Sequence, residues 1–291
     1  MKHILITGCS SGFGFLAAKH LAKQGHHIIA TMRNVNGKNF EKASELLAYA
    51  HEHSLKIDVH DIDVTSDDSI NTAIKKISKI DVLINNAGRG YGGPVEAFSS
   101  QQLLNQLDLN IVGALRVANA VLPKMRKQRS GLIIQVSSVA GRGSFPGYGI
   151  YCASKWGLEG VSEALRYELA PLGIDVVLVE PGPFSTDFLS NIVEPKDPEI
   201  NSDYRHVKEF IDGFEKQVKE LYENNEATDP LIVAKLFESL INTPAGKRPL
   251  RSIAGLDFGF QALNDAVEPI RKSSLESMNI GDLDRPKTKQ Q

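Results

Sequence analysis

Tyr151 and Lys155 stand four residues apart in Tyr151-Cys152-Ala153-Ser154-Lys155. The segment continues through Glu159, Val161, Ala164, Leu165 and Leu169 at helical spacing, so the phenol and the ammonium share one helix face, one turn apart. A free phenol titrates near ~10. A close ammonium favours the phenolate and lowers that value, which would let Tyr151 exchange protons near neutral pH. That is the acid–base work needed to interconvert an alcohol and a carbonyl. The spacing alone is common by chance and describes two exposed helix residues equally well, so the neighbours matter. Val136-Ser137-Ser138 closes an apolar run that reads as a strand, and ligands bind at the carboxyl ends of parallel strands. There the Ser138 hydroxyl could hold a substrate oxygen. Asn110, in Asn110-Ile111-Val112-Gly113, lies within a helical segment where Asn is a poor helix former, which suggests a bent helix and a polar role.

A second constellation sits at the start of the chain. Thr7-Gly8-Cys9-Ser10-Ser11-Gly12-Phe13-Gly14 follows the first strand-like run and opens a helix. Glycines permit a tight turn and close approach of the backbone to a pyrophosphate, and a helix N-terminus offers free N–H groups and the positive end of its dipole. The segment Gly8-Cys9-Ser10-Ser11-Gly12 also matches the strand–turn–helix elbow that carries the nucleophile of serine hydrolases, with Ser10 as nucleophile. That alternative needs a late histidine at a strand end. His20, His26, His27, His51, His53, His60 and His206 do not provide one. The dinucleotide reading places Asn85-Asn86-Ala87-Gly88, the end of another strand-like run, beside the nicotinamide half. An acidic residue about 20 positions after the glycines would bind the ribose of NAD. Between Phe15 and Phe40 there is none, and the second strand ends Thr31-Met32-Arg33-Asn34. An arginine there suits a 2′-phosphate, which selects NADP(H).

Six short runs rich in Ile, Val and Leu (4–7, 27–32, 55–59, 81–84, 132–136 and 174–179) alternate with longer amphipathic segments. Apolar runs of this kind are covered on both faces, and their alternation with helices predicts βαβ units, hence a doubly wound α/β fold on a parallel sheet. Lys247–Ile253 reads as one last strand. Residues 187–228 read as a helical lid over the strand ends, with Phe210, Phe214, Val218 and Leu221 at helical spacing. The expected organisation is a single catalytic domain over 1–275 and a polar tail over 276–291, frayed over Gly281–Gln291. Lys and Arg total 33 against 35 Asp and Glu, a net charge of −2, which gives no electrostatic reason to expect nucleic acid. No segment nears the ~18 apolar residues of a membrane span. Cys9 and Cys152, the two cysteines, sit inside the motifs, so a disulfide is not expected and a cytoplasmic location is the default.

Together these residues resemble the short-chain dehydrogenase/reductase family. The resemblance runs through Thr7–Gly14, Asp63-Val64, Asn86-Ala87-Gly88, Asn110, Ser138, Tyr151, Lys155 and Pro181-Gly182 to Thr186. It implies a seven-stranded parallel Rossmann-type sheet. Tyr151 would be the general acid/base, Ser138 would polarise the carbonyl, Lys155 would bind the nicotinamide ribose and Asn110 would hold a water in a proton relay. Asp63 and Val64 would touch adenine, Thr186 the nicotinamide amide, and Ser11 with Arg33 the 2′-phosphate. Within the family the chain is most similar to the hydroxysteroid and retinol dehydrogenase-like group, through Cys9-Ser10-Ser11, Thr31-Met32-Arg33, Gly92-Gly93-Pro94-Val95-Glu96-Ala97 and the long segment after Pro183. That implies an apolar alcohol or carbonyl substrate of steroid, retinoid or lipid type. Ser144, Phe145, Tyr148, Phe184 and Phe188 are the candidate pocket walls. Long helices near 100–127 and 152–170, with family habit, suggest a homodimer or homotetramer. A non-enzymatic NADPH-binding regulator on the same fold is the other alternative, although such a protein typically lacks the Tyr or the Lys.

Overall fold

The apolar runs become seven strands: β1 (His3–Ile6), β2 (His27–Met32), β3 (Lys56–Asp61), β4 (Val82–Asn85), β5 (Gly131–Val136), β6 (Ile174–Pro181) and β7 (Arg251–Ala254). They form one sheet in the order β3-β2-β1-β4-β5-β6-β7, every pair parallel. The reversal of winding lies between β1 and β4, the crevice where doubly wound sheets bind ligands. These positions come from a computed structural model that describes residues 1–286 apart from Asn225. Among the described residues, ten helices connect and cover the strands: α1 (Gly12–Lys23), α2 (Phe40–Glu52), α3 (Asp67–Lys76), α4 (Ser100–Leu107), α5 (Gly113–Gln128), α6 (Gly149–Leu169), α7 (Pro198–Asp203), α8 (Arg205–Asn224), α9 (Leu231–Asn242) and α10 (Phe260–Ser277).

Side chains alternate across the sheet, so each strand feeds two cores. Ile4, Ile6, Ile28, Ile84 and Val179 face α1, α2 and α9, where Phe237 is fully buried. Leu5, Ile29, Leu83, Ile133 and Val176 face α3, α5 and the end of α6. One expectation fails at β3. Lys56, Asp58 and Asp61 are exposed, because β3 is the sheet edge and has no neighbour beyond it. The final strand is also shorter than expected, since only Arg251–Ala254 pair with β6.

Residues 187–228 form a 3₁₀ turn at Leu189–Asn191, then α7, α8 and a second 3₁₀ turn at Glu226–Thr228. The stripe that α8 buries is Val207, Ile211, Phe214 and Val218. Phe210 is displaced from it, 38 % exposed and stacked on Phe214. The expected frayed tail is corrected as well. Gly281–Asp284 forms a 3₁₀ turn, and the buried Asp284 carboxylate accepts from Arg271 (2.8 and 3.1 Å) and Arg166 (3.3 Å). Two buried guanidiniums need a counter-charge, and this segment supplies it. Residues 287–291 of the expected tail lie outside the described residues. Among the described residues, no helix is long and apolar enough to cross a membrane.

Candidate active site

The glycine turn is shaped by contacts that exclude side chains. Gly8 (φ +74°) and Gly12 (φ +54°) occupy the left-handed region. A Cβ on Gly14 would lie 2.4 Å from the Gly8 carbonyl oxygen and 2.6 Å from Asn86 Nδ2. Asn86 closes the turn: its Nδ2 donates to the carbonyls of Thr7 (2.8 Å) and Gly8 (3.2 Å). In return the Thr7 hydroxyl accepts from the Asn86 and Ala87 N–H groups, each at 3.0 Å. The switch point between β1 and β4 is thus stitched together, and Asn86 and Ala87 work there as struts. Thr7 was not singled out from the sequence; its place at a strand end was the available signal. Ser11 is the N-cap of α1 yet makes no capping bond, and the first turn carries no acid. Ser10 lies in the same turn. Free N–H groups, an uncommitted hydroxyl and a cradle of glycines fit the phosphates of a dinucleotide. The side chain of Phe13 turns away and packs edge-on against Phe184, with ring centroids 5.3 Å apart. Thr186 lies across from Gly12, where an added Cβ would fall 3.7 Å from its side chain.

Arg33 emerges at the end of β2 with its side chain 54 % exposed, and its Nη1 lies 3.9 Å from Asp63 Oδ2. Asp63 also accepts from the Thr65 N–H (2.9 Å) and hydroxyl (2.7 Å). Val64 is buried against Gly113. At the end of β6, Gly182 is required by geometry, because a Cβ there would fall 1.9 Å from the Leu256 carbonyl oxygen; Pro181 precedes it.

Ser138, Tyr151 and Lys155 do converge. Ser138 follows β5, with its hydroxyl accepting from the Ala140 N–H at 3.1 Å, donating to the Pro181 carbonyl at 3.4 Å and lying near enough to the Tyr151 phenol to act on its titration. Tyr151 and Lys155 lie in the first turns of α6, both buried. Lys155 Nζ donates to the Val136 carbonyl at 2.8 Å and sits 5.8 Å from the centre of the Tyr151 ring. The lowered phenol expected from the four-residue spacing is not what the fold produces. Burial pushes Tyr151 above the ordinary phenol range, and only Ser138 pulls the other way. The lysine faces the ring and spends a proton on a backbone carbonyl. Burial has also drawn Lys155 itself down to about 8, against the opposing field of Glu159.

Asn110 lies in a single π-helical turn, Asp108–Val112, that joins α4 to α5. The helical irregularity expected there takes the form of this π turn, and such turns cluster at functional sites. The amide bridges two segments: Oδ1 accepts from the Arg89 N–H (3.1 Å), and Nδ2 donates to the Arg89 carbonyl (3.0 Å) and to Ser154 Oγ (2.9 Å). Gly88 lies between Asn110 and Lys155, and a Cβ on it would fall 3.2 Å from Asn110 Oδ1 and 3.8 Å from Lys155 Nζ.

The pocket-wall candidates divide. Phe188 from the lid covers Tyr151, ring centroids 5.4 Å apart, and Phe145 and Tyr148 join the same apolar cluster. Ser144 is exposed and hydrogen-bonds the Cys152 thiol. Phe184 is corrected: it is 4 % exposed and belongs to the core beneath the glycine turn, because the chain after β6 folds inward against α1. The Ser10 hydrolase alternative gains no support. His3, His20 and His27 pair with Asp81, Glu238 and Asp58, and none of the described histidines hydrogen-bonds Ser10.

A comparison with protein families decides the kinship: residues 2–197 match the model of the short chain dehydrogenases. The chain belongs to that family. It is therefore an oxidoreductase of CH–OH donors, of a family that uses nicotinamide cofactors. Among its relatives, retinol dehydrogenase 8 of Bos taurus is 35 % identical over 86 % of this chain and 80 % of its own length. Human 17-beta-hydroxysteroid dehydrogenase type 1 is 32 % identical over 83 % of this chain and 74 % of its own. A solved short-chain dehydrogenase from Streptomyces avermitilis superposes with a TM-score of 0.75, 29 % identity, over 97 % of this chain and 99 % of that one. The hydroxysteroid and retinol group expected from the motifs is thus supported.

Behind the catalytic face this dehydrogenase carries a charge cluster that sequence reading missed. Glu159, one turn after Lys155, accepts from Arg251 Nε at 2.8 Å, and Glu163 accepts from Arg251 Nη2 at 2.6 Å. Glu180 on β6 is fully buried, 3.6 Å from Arg251 and 3.9 Å from Arg142. Three carboxylates thus face two guanidiniums, and burial together with the field of Glu159 raises Glu180 to about 8. A carboxyl with a raised value holds a proton when folded that it releases when unfolded. The stability this confers is full below about pH 4.5 and declines by at most about 1.4 kcal/mol per pH unit as pH climbs towards 8. Glu180→Gln should abolish that contribution, so its melting temperature gains on the wild type between about pH 6 and 8. Paired thermal melts across this window test the assignment; parallel profiles would refute it.

Proposed function

We propose that the chain is an NADP(H)-dependent oxidoreductase that interconverts an alcohol and a ketone or aldehyde on an apolar substrate. The observation that carries this reading is the buried Tyr151 phenol, with Ser138 beside it and Lys155 Nζ 5.8 Å from its ring centre. A phenol held above its ordinary range keeps its proton at neutral pH. It suits donation to a carbonyl oxygen, with Ser138 holding that oxygen as charge develops. The hydride chemistry is the dinucleotide's when bound. Lys155 would orient its nicotinamide ribose, and Asn110 would keep the Arg89 loop and α6 in register, beside the relay water that the family resemblance implies. Gly8, Ser10, Ser11, Gly12 and Gly14 would hold the pyrophosphate, Asp63 and Val64 the adenine, and Ala87, Gly88, Pro181, Gly182 and Thr186 the nicotinamide half.

The preference for NADP(H) is supported by Arg33, half-exposed at the end of β2, and by the absence of an acid between Phe15 and Phe40. The apolar substrate is supported by Phe188, Phe145 and Phe214 around Tyr151. A homodimer or homotetramer is supported by the exposed Leu104 (57 %), Val112 (40 %) and Trp156 (48 %) on α4, the π turn and α6. The decisive experiment follows the absorbance of NADPH, with NADH alongside, against a panel of ketones and aldehydes. Arg33→Ala should raise KM for NADPH about tenfold, the loss of one charge-assisted contact, and leave KM for NADH nearly unchanged. Equal use of the two cofactors by the wild type would sink the NADP assignment.

A further inference from the structure

Tyr148 sits one turn before Tyr151 and belongs to the same apolar cluster, with Ala140, Cys152, Phe188, Ile211 and Phe214. Its side chain is 7 % exposed, and its hydroxyl is buried without a hydrogen-bond partner. Its ring meets Phe214 of α8 edge-on, centroids 6.1 Å apart. The neighbouring Gly147 (φ +76°) lets α8 come so close that a Cβ there would fall 2.5 Å from Ile211 Cδ1. The acidic and phenolic groups around Tyr148 are Glu215, Cys152 and Tyr222, all of which disfavour its phenolate after burial has done most of that work. Tyr148 is therefore a neutral donor in a largely apolar cluster, with no hydrogen bond to any of these three groups.

A phenol brings a donor that apolar neighbours cannot satisfy, and leaving it unpaired is costly. A purely apolar pocket would be served better by phenylalanine. Tyr148 shares its apolar cluster with Tyr151, so a ligand that opens this cluster to meet Tyr151 also meets the Tyr148 hydroxyl. We propose that Tyr148 is a second polar anchor of the substrate site, donating to a hydroxyl or keto oxygen other than the reacting one. The substrate class is then an apolar body with an oxygen function at each of two separated positions. One oxygen is handled by Tyr151 and Ser138, the other by Tyr148, with Phe145, Phe188 and Phe214 against the body between them. This inference depends on the carbonyl-reducing reading above.

The test uses straight-chain methyl ketones of increasing length, each paired with its ω-hydroxy derivative. With the wild type, kcat/KM for the hydroxylated member should exceed that of its plain partner by about fivefold to tenfold at one preferred length, the worth of one hydrogen bond. In Tyr148→Phe that ratio should collapse to about one, mainly through KM. A merely structural role for Tyr148 would lower both members of each pair alike and leave the ratio standing, which would overturn the proposal. So would a wild type that shows no preferred length. A wild type that reduces no ketone, plain or hydroxylated, would sink the carbonyl-reducing reading itself; plain ketones reduced without any hydroxyl preference would sink this inference alone. A melting temperature for Tyr148→Phe matching the wild type shows that the ratio is read on folded enzyme.

Discussion

Tyr151→Phe should lower kcat for ketone reduction by about 10²–10⁴-fold, the usual contribution of a positioned general acid, and leave NADPH affinity nearly intact. The substitution removes one oxygen from a buried ring that packs on Phe188 and faces Lys155. Nothing else in the ring's surroundings needs that oxygen except Ser138. Since burial keeps the phenol protonated, the wild type has its proton in place for reduction throughout the neutral range. The pH dependence of the wild type should instead reflect Lys155, whose ammonium titrates at about 8. Reduction should weaken as pH rises through that value. Steady-state kinetics together with a fluorescence titration of NADPH check both parts. A Tyr151→Phe enzyme with wild-type kcat would refute the mechanism.

Gly14→Ala has the second large effect, on cofactor binding rather than on chemistry. The added methyl lies 2.4 Å from the Gly8 carbonyl oxygen and 2.6 Å from Asn86 Nδ2. Neither neighbour is free to retreat, because Asn86 is the clasp that ties the glycine turn to the end of β4. Overpacking of this kind costs about 1–3 kcal/mol of stability. The turn must open to relieve it, so NADPH affinity should fall about 100-fold, two lost backbone contacts at roughly tenfold each. Gly160→Ala is the control. It sits in α6 with nothing within 4 Å of the added Cβ, so it should leave affinity unchanged and raise helix stability slightly. Gly14→Ala that bound NADPH like the wild type would show that the cradle is not the phosphate site.

Much of the site was legible before any coordinates. Tyr151, Lys155 and Asn110 declare themselves through spacing within one helix and through a residue type that helices avoid. Gly8, Gly12 and Gly14 declare themselves because a strand-to-helix turn around phosphates leaves no room for side chains. These signals are local, spanning a few residues each. The misreadings are all non-local. Phe184 looked like a pocket wall because it follows a strand end, yet Phe13, far back in the chain, draws it into the core. The C-terminal segment looked frayed because it is polar, yet Asp284 answers Arg166 and Arg271. The edge position of β3 depends on the order of strands in the sheet, which no single run of residues encodes.

Alternation of strand and helix, the glycine turn, an arginine rather than an acid at the end of β2, and the Tyr–Lys pair are properties of the chain itself, since each follows from steric limits or charge within a short stretch. Protonation and enclosure belong to the tertiary structure. The raised phenol of Tyr151, the lowered ammonium of Lys155 and the raised carboxyl of Glu180 arise chiefly from desolvation, and the Tyr148 hydroxyl is buried without a partner. Desolvation depends on which distant segments close over a group, and for this dehydrogenase those segments are β6, β7 and the lid helix α8.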